Sequence, residues 1–501
     1  MNVGAGTGRT RARAADGVVA ALLAVAVAVA VPSSATARPS PEPGRSGQQG
    51  RAGTDGGPRG AGATGKPDAR ASGAAHRPAP AAAPVLGAPA DTGVAPTGPG
   101  VQNALGATVQ DHALGALNFA VADAVTGRLL YGSGETTPAV PASTTKLATA
   151  VAALAVIPPT TRLATTVVRG TEPGTVVLVG GGDPTLTVLP ADQVRIGGLP
   201  ADPDTAPASL ADLAARTADA LKASGTTAVR LGYDVSLYTG PLLHKEHDAV
   251  NIAAVTPLMV DEGRIDPRSP DEAPARAFDP AGQAATAFAD ALRARGIAVD
   301  GDPVQTTAPA GAPTVAEVRS PTLPRLIERM LTTSDNTLAE AVARQAALAA
   351  HRPASFAGAA DATVQALAAL DVPTAGVVLN DGSGLSRANL IPPITLTALL
   401  ARAASPAHPE LRPVLTGLPV AGFTGTLVNR FGARSGASEA AGVVRAKTGT
   451  LAGVNTLAGT VVDADGRVLT FALMTKTAAG AYDARSAVDR IVARIASCGC
   501  H

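Results

Sequence analysis

The pattern of apolar positions divides the chain near residue 100. Residues 38–100 are rich in Pro, Gly, Ala and Ser and carry almost no large apolar side chains, so they cannot bury a core. Beyond Val101, apolar residues recur in runs of helical or strand length with turn residues between them. The pattern therefore predicts a disordered linker over 38–100 and a folded region from Val101 onwards.

The first elements of the folded region are a predicted hairpin and a predicted helix. Leu117–Ala124 has the composition of a strand, Val125–Gly127 that of a turn, and Arg128–Tyr131 that of a returning strand. The Ala- and Leu-rich run after Pro141 predicts a helix, because proline is tolerated in the first helical turn. Together with a late strand near the C-terminus, these elements predict one sheet with this helix packed on it.

Other segments carry the periodicity of single elements, and they alternate between helix and strand. The further predicted helices are Leu210–Ala223, Ala281–Gly296, Pro321–Ala350 with a turn inside it, and Arg485–Ala496. The further predicted strands are a buried one that starts at Thr175 and ends in the triple glycine 180–182, then Ala228–Tyr233, Leu457–Val462 and Arg467–Met474.

The N-terminus carries the features of an export signal. Three arginines precede Gly17–Val31, an uncharged and mostly apolar run, and Ala35–Ala37 has the small residues of a cleavage site. The apolar run is shorter than the roughly 20 residues that a membrane-spanning helix needs. Residues 1–37 are therefore predicted to be the signal peptide of an exported cell-envelope protein, with an uncleaved membrane anchor as the alternative.

The amino-acid composition limits the kinds of molecule that the protein is expected to bind. The chain has 41 basic and 40 acidic residues, a net charge of +1, which gives no electrostatic basis for binding nucleic acid. Its two cysteines, Cys498 and Cys500, lie one residue apart, a spacing poorly suited to an unstrained disulfide. A strained loop and a bridge to another chain stay open for them, but we expect that they have no structural role.

Ser143 and Lys146 are the first candidates for catalytic chemistry. Their spacing of three places both side chains on one face of the predicted helix, with Ser143 at the positive end of the helix dipole. A serine becomes a nucleophile when a neighbouring base removes its proton, and a neutral lysine amine can be that base. Alone, the pattern is also that of a polar helix start with a solvated lysine.

Two later triplets change this interpretation. They are Ser334-Asp335-Asn336 and Lys447-Thr448-Gly449. The order S-x-x-K, S-D-N, K-T-G is the signature of penicillin-binding proteins and serine β-lactamases. Taken singly, the first triplet is also a good helix cap, and the second is the end of a surface strand. The ordered set favours the catalytic interpretation.

The long separation between Lys146 and Ser334 predicts an insertion. A simple helical subdomain between the first two motifs would need far fewer residues. Residues 169–319 are therefore predicted to form an inserted domain, while 101–168 and 320–501 together form the catalytic domain.

From about residue 105 to its end, the chain resembles the D-alanyl-D-alanine carboxypeptidase/endopeptidase family of low-molecular-mass penicillin-binding proteins. Beyond the triplets, the resemblance rests on Gly180–Pro184, on Ala339-Glu340 after the S-D-N, on Asp381–Arg387, and on Ala446–Leu451. It implies an α/β (α+β) transpeptidase-like fold with a domain inserted after the S-x-x-K helix. The insert is shorter than in fuller members, and the aromatic residues typical of the family are sparse over Tyr238–Asp248.

The resemblance also implies roles for the motif residues. Ser143 attacks the carbonyl between two D-alanines, Lys146 takes its proton, and Ser334 passes a proton to the leaving amine. The implied substrate-binding residues are Asn336, Lys447, Thr448, Gly449 and Thr450. The implied partners are peptidoglycan stem peptides, with cleavage as a carboxypeptidase and also as an endopeptidase, and β-lactam antibiotics as covalent inhibitors, without a cofactor or metal.

Two functions from other classes stay open at this point. One is a β-lactamase or esterase on the same scaffold, and the other is a catalytically silent cell-wall-binding protein that keeps the motifs. No glutamate in the folded region has an asparagine four residues later, so the water-activating motif of class A β-lactamases is not present. We therefore expect hydrolysis of D-Ala-D-Ala peptides and a long-lived penicilloyl-enzyme.

Two further residue groups are predicted to lack a direct chemical role. His244–His247 is one residue short of an inverted zinc motif and is predicted to be a surface loop. Asp381 and Arg387 are predicted to shape their own glycine-rich loop, with contact to substrate as the alternative.

Overall fold

The computed structural model describes residues 93–501, except residues 197, 270 and 272. The predicted signal peptide 1–37 and the predicted linker as far as residue 92 lie outside the described residues. No helix in the described part is both long and apolar enough to cross a membrane.

Helices and strands are both numerous in the described part of the chain. The helices are α1 (Gly98–Leu105), α2 (Thr145–Val156), α3 (Leu210–Ala223), α4 (Pro280–Ala294), α5 (Leu323–Thr333), α6 (Asn336–Ala349), α7 (Phe356–Ala369), α8 (Pro393–Ala404), α9 (Arg412–Thr416) and α10 (Ala481–Ala496). The strands are β1 (Ala116–Asp123), β2 (Leu129–Ser133), β3 (Arg162–Arg169), β4 (Thr175–Val179), β5 (Arg195–Ile196), β6 (Leu199–Pro200), β7 (Ala228–Asp234), β8 (Ala298–Val299), β9 (Val304–Gln305), β10 (Thr314–Thr322), β11 (Val444–Leu451), β12 (Val454–Val462) and β13 (Val468–Lys476).

One antiparallel sheet of five strands joins the start of the folded region to its end. The strand order is β11-β12-β13-β1-β2, and β1 pairs with β13 from Ala116 opposite Lys476 to Asp123 opposite Leu469. β12 and β13 are buried along almost their whole length, because helices cover both faces of the sheet.

Alternate residues of the central strands serve two different cores. Ala472 and Met474 pack into a core shared with α2, α5, α6 and α8, whereas Phe471 and Leu473 pack into a core shared with α1 and α10. This division follows from the two-residue period of a strand, which sends successive side chains to opposite faces. α2 lies within the first core and is buried on nearly all sides, from Thr145 to Leu154.

A second, mixed sheet is formed by the chain between the first two motifs. Its strand order is β10-β3-β4-β7-β8, with β9 also paired to β7. α3 and α4 pack on it and contribute Leu213, Leu221, Phe288 and Leu292 to a separate apolar core. The apolar stripe of each helix therefore faces this second sheet.

The mixed architecture confirms the predicted fold class, with four differences in detail. Ser143 lies in a short 3₁₀ turn, and α2 begins only at Thr145. The second sheet includes all of β3 and β10, so it extends past both ends of the predicted 169–319 range. The sequence analysis did not predict α7 or α8. Register and sheet membership depend on contacts between distant strands, which local patterns do not reveal.

The two cysteines, Cys498 and Cys500, lie side by side after α10, an arrangement compatible with the strained loop that the sequence analysis left open. The backbone there brings their Cα atoms to 5.1 Å, a separation at which disulfides form.

Candidate active site

The nucleophile turn, residues Pro141–Thr145, is fixed by hydrogen bonds to its own carbonyl oxygens and to the sheet. Thr145 Oγ1 donates to the carbonyl oxygen of Ala142 at 2.9 Å. Thr456 Oγ1 of β12 donates to the carbonyl oxygen of Pro141 at 2.8 Å. Ala142 has a φ of 48°, an uncommon conformation for a residue with a side chain. The turn therefore holds Ser143 against the edge of the five-stranded sheet.

Lys146 is fully buried and directs its amine at the serine. Its Nζ lies 3.0 Å from Ser143 Oγ, 2.6 Å from Asn336 Oδ1 and 2.7 Å from the carbonyl oxygen of Ser383. Burial lowers the pKa of Lys146 to about 8, because removal from water penalises the ammonium form. The carboxylates of Asp381, Asp335 and Glu340 act in the opposite direction. A useful fraction of neutral amine is therefore present near neutral pH.

The S-D-N turn connects α5 to α6 and presents three side chains in three directions. Ser334 has a φ of 60° and its Oγ accepts a hydrogen bond from Lys447 Nζ at 2.8 Å. Asp335 caps α6 by accepting from the backbone N–H of Leu338 at 2.8 Å. Within this triplet, Asp335 is the helix cap, whereas Ser334 and Asn336 each contact a lysine.

Asp335 and Asn336 are also held by the segment between the motifs. Arg264 and Arg276 pair with the carboxylate of Asp335 at 3.4 and 3.8 Å, and these charges hold its pKa below the ordinary range despite burial. Asn336 Nδ2 donates to the carbonyl oxygen of Asn251 at 2.9 Å, which leaves Oδ1 to face Lys146.

The K-T-G strand β11 closes the opposite side of the site. Lys447 is fully buried and also donates to the carbonyl oxygen of Thr448, whose hydroxyl donates to Thr426 Oγ1. A Cβ atom at Gly449 would lie 2.8 Å from the carbonyl oxygen of Pro141 and 3.0 Å from the backbone nitrogen of Ser143. Glycine is therefore the residue that lets the strand approach the nucleophile turn so closely.

The glycine-rich loop 381–387 packs directly behind the nucleophile turn. A Cβ atom at Gly384 would overlap the carbonyl oxygen of Ala142, and the φ of Gly384 is +86°. Glu340 Oε1 accepts from the backbone N–H groups of Gly382 and Ser383 at 3.0 and 2.8 Å. This support fixes the Ser383 carbonyl oxygen that Lys146 contacts.

The prediction that His244–His247 is a surface loop is wrong for part of this segment. The side chain of His247 is fully buried and its Nε2 lies 2.8 Å from Asp381 Oδ2. Glu246 Oε2 accepts from Ser386 Oγ at 2.9 Å and from the backbone N–H of Arg387 at 2.7 Å. No local sequence pattern predicts these contacts, because the partners are more than one hundred residues apart.

The buried side chains around Asp381 also have the composition of a metal-ion site. Within the described residues, His247, Glu340 and Asp381 are the group whose ligand atoms all lie within 4.8 Å of one another. Both oxygens of Asp381 are already engaged, Oδ1 by Gly384 N–H and Asn389 Nδ2 and Oδ2 by Ser386 N–H and His247. We assign no ion to it.

A cavity of about 430 Å³ opens along the end of β11. It is lined by Thr450–Gly453, Asn251, Leu385 and Ala481, among others. The half-buried Arg485 donates to Thr450 Oγ1 at 3.3 Å, a contact that the sequence analysis missed. An extended chain can pair with this strand edge.

The structure places Lys146 against Ser143 and Asn336, Ser334 against Lys447, and Gly449 against the nucleophile turn, with Thr448 and Thr450 on either side of Gly449 in β11. A serine hydroxyl beside a buried lysine, closed by an S-D-N turn and a K-T-G strand on a mixed α/β scaffold, defines a serine hydrolase of the penicillin-binding class.

Comparison with known proteins gives the family. The model of the D-Ala-D-Ala carboxypeptidase 3 (S13) family matches residues 101–274 and 267–497, and the chain belongs to this family. A carboxypeptidase of Mycobacterium tuberculosis is 37% identical over 428 residues, which cover 82% of this chain and 87% of that protein. Carboxypeptidase DacB of Mycolicibacterium smegmatis is 37% identical over 446 residues, which cover 87% and 93%.

A solved structure supports the fold. Penicillin-binding protein 4 (dacB) from Haemophilus influenzae matches with a TM-score of 0.60 at 21% identity, over 79% of this chain and 97% of that one. The family, the fold class and the assignment as a serine-type D-Ala-D-Ala carboxypeptidase that were predicted from the motifs are thereby confirmed.

Proposed function

We propose that this protein removes the terminal D-alanine from peptidoglycan stem peptides through an acyl-enzyme on Ser143. The observation that carries the proposal is the 3.0 Å contact between Lys146 Nζ and Ser143 Oγ, inside a site that buries the amine completely. The pKa of about 8 supplies a base that is partly neutral at physiological pH.

In the acylation step, neutral Lys146 takes the hydroxyl proton while Ser143 Oγ bonds to the carbonyl carbon of the penultimate D-alanine. The carbonyl oxygen becomes an oxyanion, and the backbone N–H groups of Ser143 and Thr450 are its proposed donors. Each such donor is worth about 3–4 kcal/mol in related acyl-transfer sites. The proximity of Gly449 to the Ser143 nitrogen supports this pairing of turn and strand.

Breakdown of the tetrahedral intermediate expels the terminal D-alanine as an amine that must gain a proton. Ser334 is the proposed donor: it gives its hydroxyl proton to the amine and takes up the proton that Lys146 removed from Ser143, while Lys447 Nζ, 2.8 Å from Ser334 Oγ, keeps its charge and orients the hydroxyl. Asn336 positions Lys146 from the other side, and its amide is the proposed contact for the substrate backbone.

The carboxylate of the substrate is proposed to bind at the outer end of β11, to Thr448 and Thr450, with the charge of Lys447 behind them. Lys447 is buried and donates to Ser334, so it acts on the carboxylate mainly through its field. Arg485 is half-buried beside the Thr450 hydroxyl and is the proposed direct cation, because a guanidinium can hold a carboxylate with two hydrogen bonds.

Departure of D-alanine opens the acyl-enzyme to water, whereas the leaving group of a β-lactam stays tethered and obstructs that approach. β-Lactams are therefore proposed as long-lived covalent ligands. A structure of the Haemophilus influenzae protein is described as a complex with a β-lactam, which supports this proposal. Peptidoglycan stem peptides are the proposed partner, with cross-linked dimers as a second substrate to test.

Family membership implies work at the cell wall, outside the cytoplasm. We further propose that residues 1–37 direct export and are then removed. The second sheet with its own apolar core supports the proposal that most of 169–319 is an inserted domain. Intact-mass measurement of secreted protein tests the first proposal, and limited proteolysis tests the second by cutting at its two edges.

The decisive experiment measures intact mass after incubation with penicillin, beside an assay for free D-alanine from a D-Ala-D-Ala peptide. We expect one penicilloyl adduct on the native chain and none on Ser143→Ala, together with release of D-alanine. Adduct on Ser143→Ala would contradict the assignment. Rapid turnover of penicillin without release of D-alanine would make the chain a β-lactamase instead.

A further inference from the structure

The strip of chain from His244 to Asn251, here called the clamp segment, holds parts of the site that the motifs do not explain. Its Glu246 and His247 bond to loop 381–387, and its Asn251 bonds to Asn336 of the S-D-N turn. The clamp segment thus contacts two of the three elements that surround Lys146.

His247 is the most deeply buried contact of the clamp segment. Its ring packs edge-on against Phe356, with 5.4 Å between the ring centres, and its Nε2 faces Asp381. With this nitrogen as donor, Asp381 accepts four hydrogen bonds, three of them from loop or adjoining residues, Gly384, Ser386 and Asn389. Asp381 is therefore the fastening point of the loop, and His247 is the partner that comes from outside it.

The loop fastened in this way delivers one atom to the catalytic lysine. Ser383 lies two residues after Asp381, its backbone N–H donates to Glu340, and its carbonyl oxygen lies 2.7 Å from Lys146 Nζ. A shift of the loop would withdraw this oxygen from the amine and leave Lys146 with Ser143 and Asn336 as its polar contacts.

We propose that His247 is a positioning residue for the catalytic lysine: by donating to Asp381 it holds loop 381–387 where the Ser383 carbonyl oxygen aims Lys146 Nζ at Ser143. The proposal rests on the proposed function of Lys146 as the base. It gives the clamp segment a role in the reaction itself and not only in support of a neighbouring domain.

A hydrogen-bonding role fits the group better than a cation site. Both oxygens of Asp381 are engaged by donors, and burial together with the nearby Asp381 charge raises the pKa of Glu340, so a further charged ligand there is penalised. Removing His247 takes away the side-chain donor that holds the pKa of Asp381 down. The loop would then lose the hydrogen bond that fastens it from outside, and the Ser383 carbonyl oxygen beside Lys146 would be held less firmly.

The direction in which the pKa of Lys146 changes follows from the groups that stabilise its ammonium form. These are the carboxylates of Asp381, Asp335 and Glu340, each of which stabilises the ammonium form. Withdrawing the Ser383 carbonyl oxygen, which accepts a hydrogen bond from the amine, destabilises that form. Loss of His247 therefore lowers the pKa of Lys146 further while it misdirects the amine.

The test follows the rate of penicillin acylation by timed intact mass, at a series of pH values that bracket pH 8. The variants are His247→Phe, which keeps a ring but no donor, and His247→Gln, whose amide nitrogen can take the place of Nε2. His244→Phe is the matched control: His244 packs on the same Phe356 ring, and within the described residues its side chain accepts from the backbone N–H of Glu246 at 3.3 Å but makes no hydrogen bond to Asp381.

For His247→Phe we expect the plateau rate to fall about tenfold or more, as a misplaced base does. In the plot of acylation rate against pH, we also expect the fall in rate on the acidic side, the acid limb, to move to lower pH by about half a unit. His247→Gln should stay within about threefold of the native rate with an unshifted limb, since it restores the donor. His244→Phe should match the native chain in both measures.

The outcomes separate the proposal from the function on which it rests. A native chain that penicillin does not acylate overturns both. Normal acylation of His247→Phe, or a lower plateau with an unmoved acid limb, overturns only the positioning role. If His247→Phe does not fold, His247→Asn replaces it, because its shorter amide cannot reach Asp381. Equal profiles for Asn and Gln at this position would then overturn the proposal.

Discussion

Gly449→Ala tests how much of the catalytic rate depends on the close approach between β11 and the nucleophile turn. The added methyl carbon would lie 2.8 Å from the carbonyl oxygen of Pro141, 3.0 Å from the Ser143 nitrogen and in overlap with Thr456 Oγ1. The hydroxyl of Thr456 can rotate away, but the two backbone atoms cannot. The substitution therefore pushes the strand off the turn.

The size of the effect follows from these contacts. Carbon atoms and their neighbours rest about 3.5–4.0 Å apart, so the strand must retreat by about 0.5–1 Å. A displacement of that size in an acyl-transfer site costs about a hundredfold in rate. Overpacking of a filled interior costs about 1–3 kcal/mol in the free energy of unfolding, which leaves a folded protein.

The assay compares rates of penicillin acylation and D-alanine release with thermal unfolding for Gly449→Ala and a control. Gly432→Ala is the control, because a methyl group there meets nothing within 4 Å and the φ of −96° suits any residue. We expect a rate loss of about a hundredfold for Gly449→Ala and almost none for the control. A folded Gly449→Ala with native acylation would refute the argument that this approach aligns the site.

Further predictions address the charges of the site. Acylation should lose rate as pH falls through about 8, because Lys146 must be neutral to act; a flat profile between pH 6 and about 9 would contradict its role as base. Arg276→Met should lower the free energy of unfolding by about 3 kcal/mol in chemical denaturation, since it leaves the buried carboxylate of Asp335 short of a partner. Arg485→Met should raise KM about tenfold for peptides that end in a carboxylate but not for a neutral ester, and an equal change for both would argue against a direct contact.

The motif residues could be predicted because their chemistry is local or ordered along the chain. Ser143 and Lys146 meet through a spacing of three residues, and the later triplets form a recognised order. Their mutual distances could not be predicted. Nothing in the sequence indicates that Lys146 also contacts the Ser383 carbonyl oxygen.

The residues that the sequence analysis missed depend on contacts between distant segments. His247 and Asp381 are 134 residues apart, and a polar HKEH string is locally indistinguishable from a solvated loop. α8 was missed because Pro392 and Pro393 precede Ile394 and Thr395, residues that favour strands when taken alone. Tertiary burial overrides that preference, since the helix packs against α2 and the five-stranded sheet.

Because β1 pairs with β13, the active site can be completed only late in the synthesis of the chain. Ribosomes deliver the N-terminal half first, so Ser143 and Lys146 exist long before the strand that carries Lys447. Until β13 arrives, the hairpin of β1 and β2 lacks its central neighbour, and such long-range closure is slow. A nascent chain thus holds its nucleophile in an unfinished site, and hydrolytic chemistry starts only after the last strands have been made.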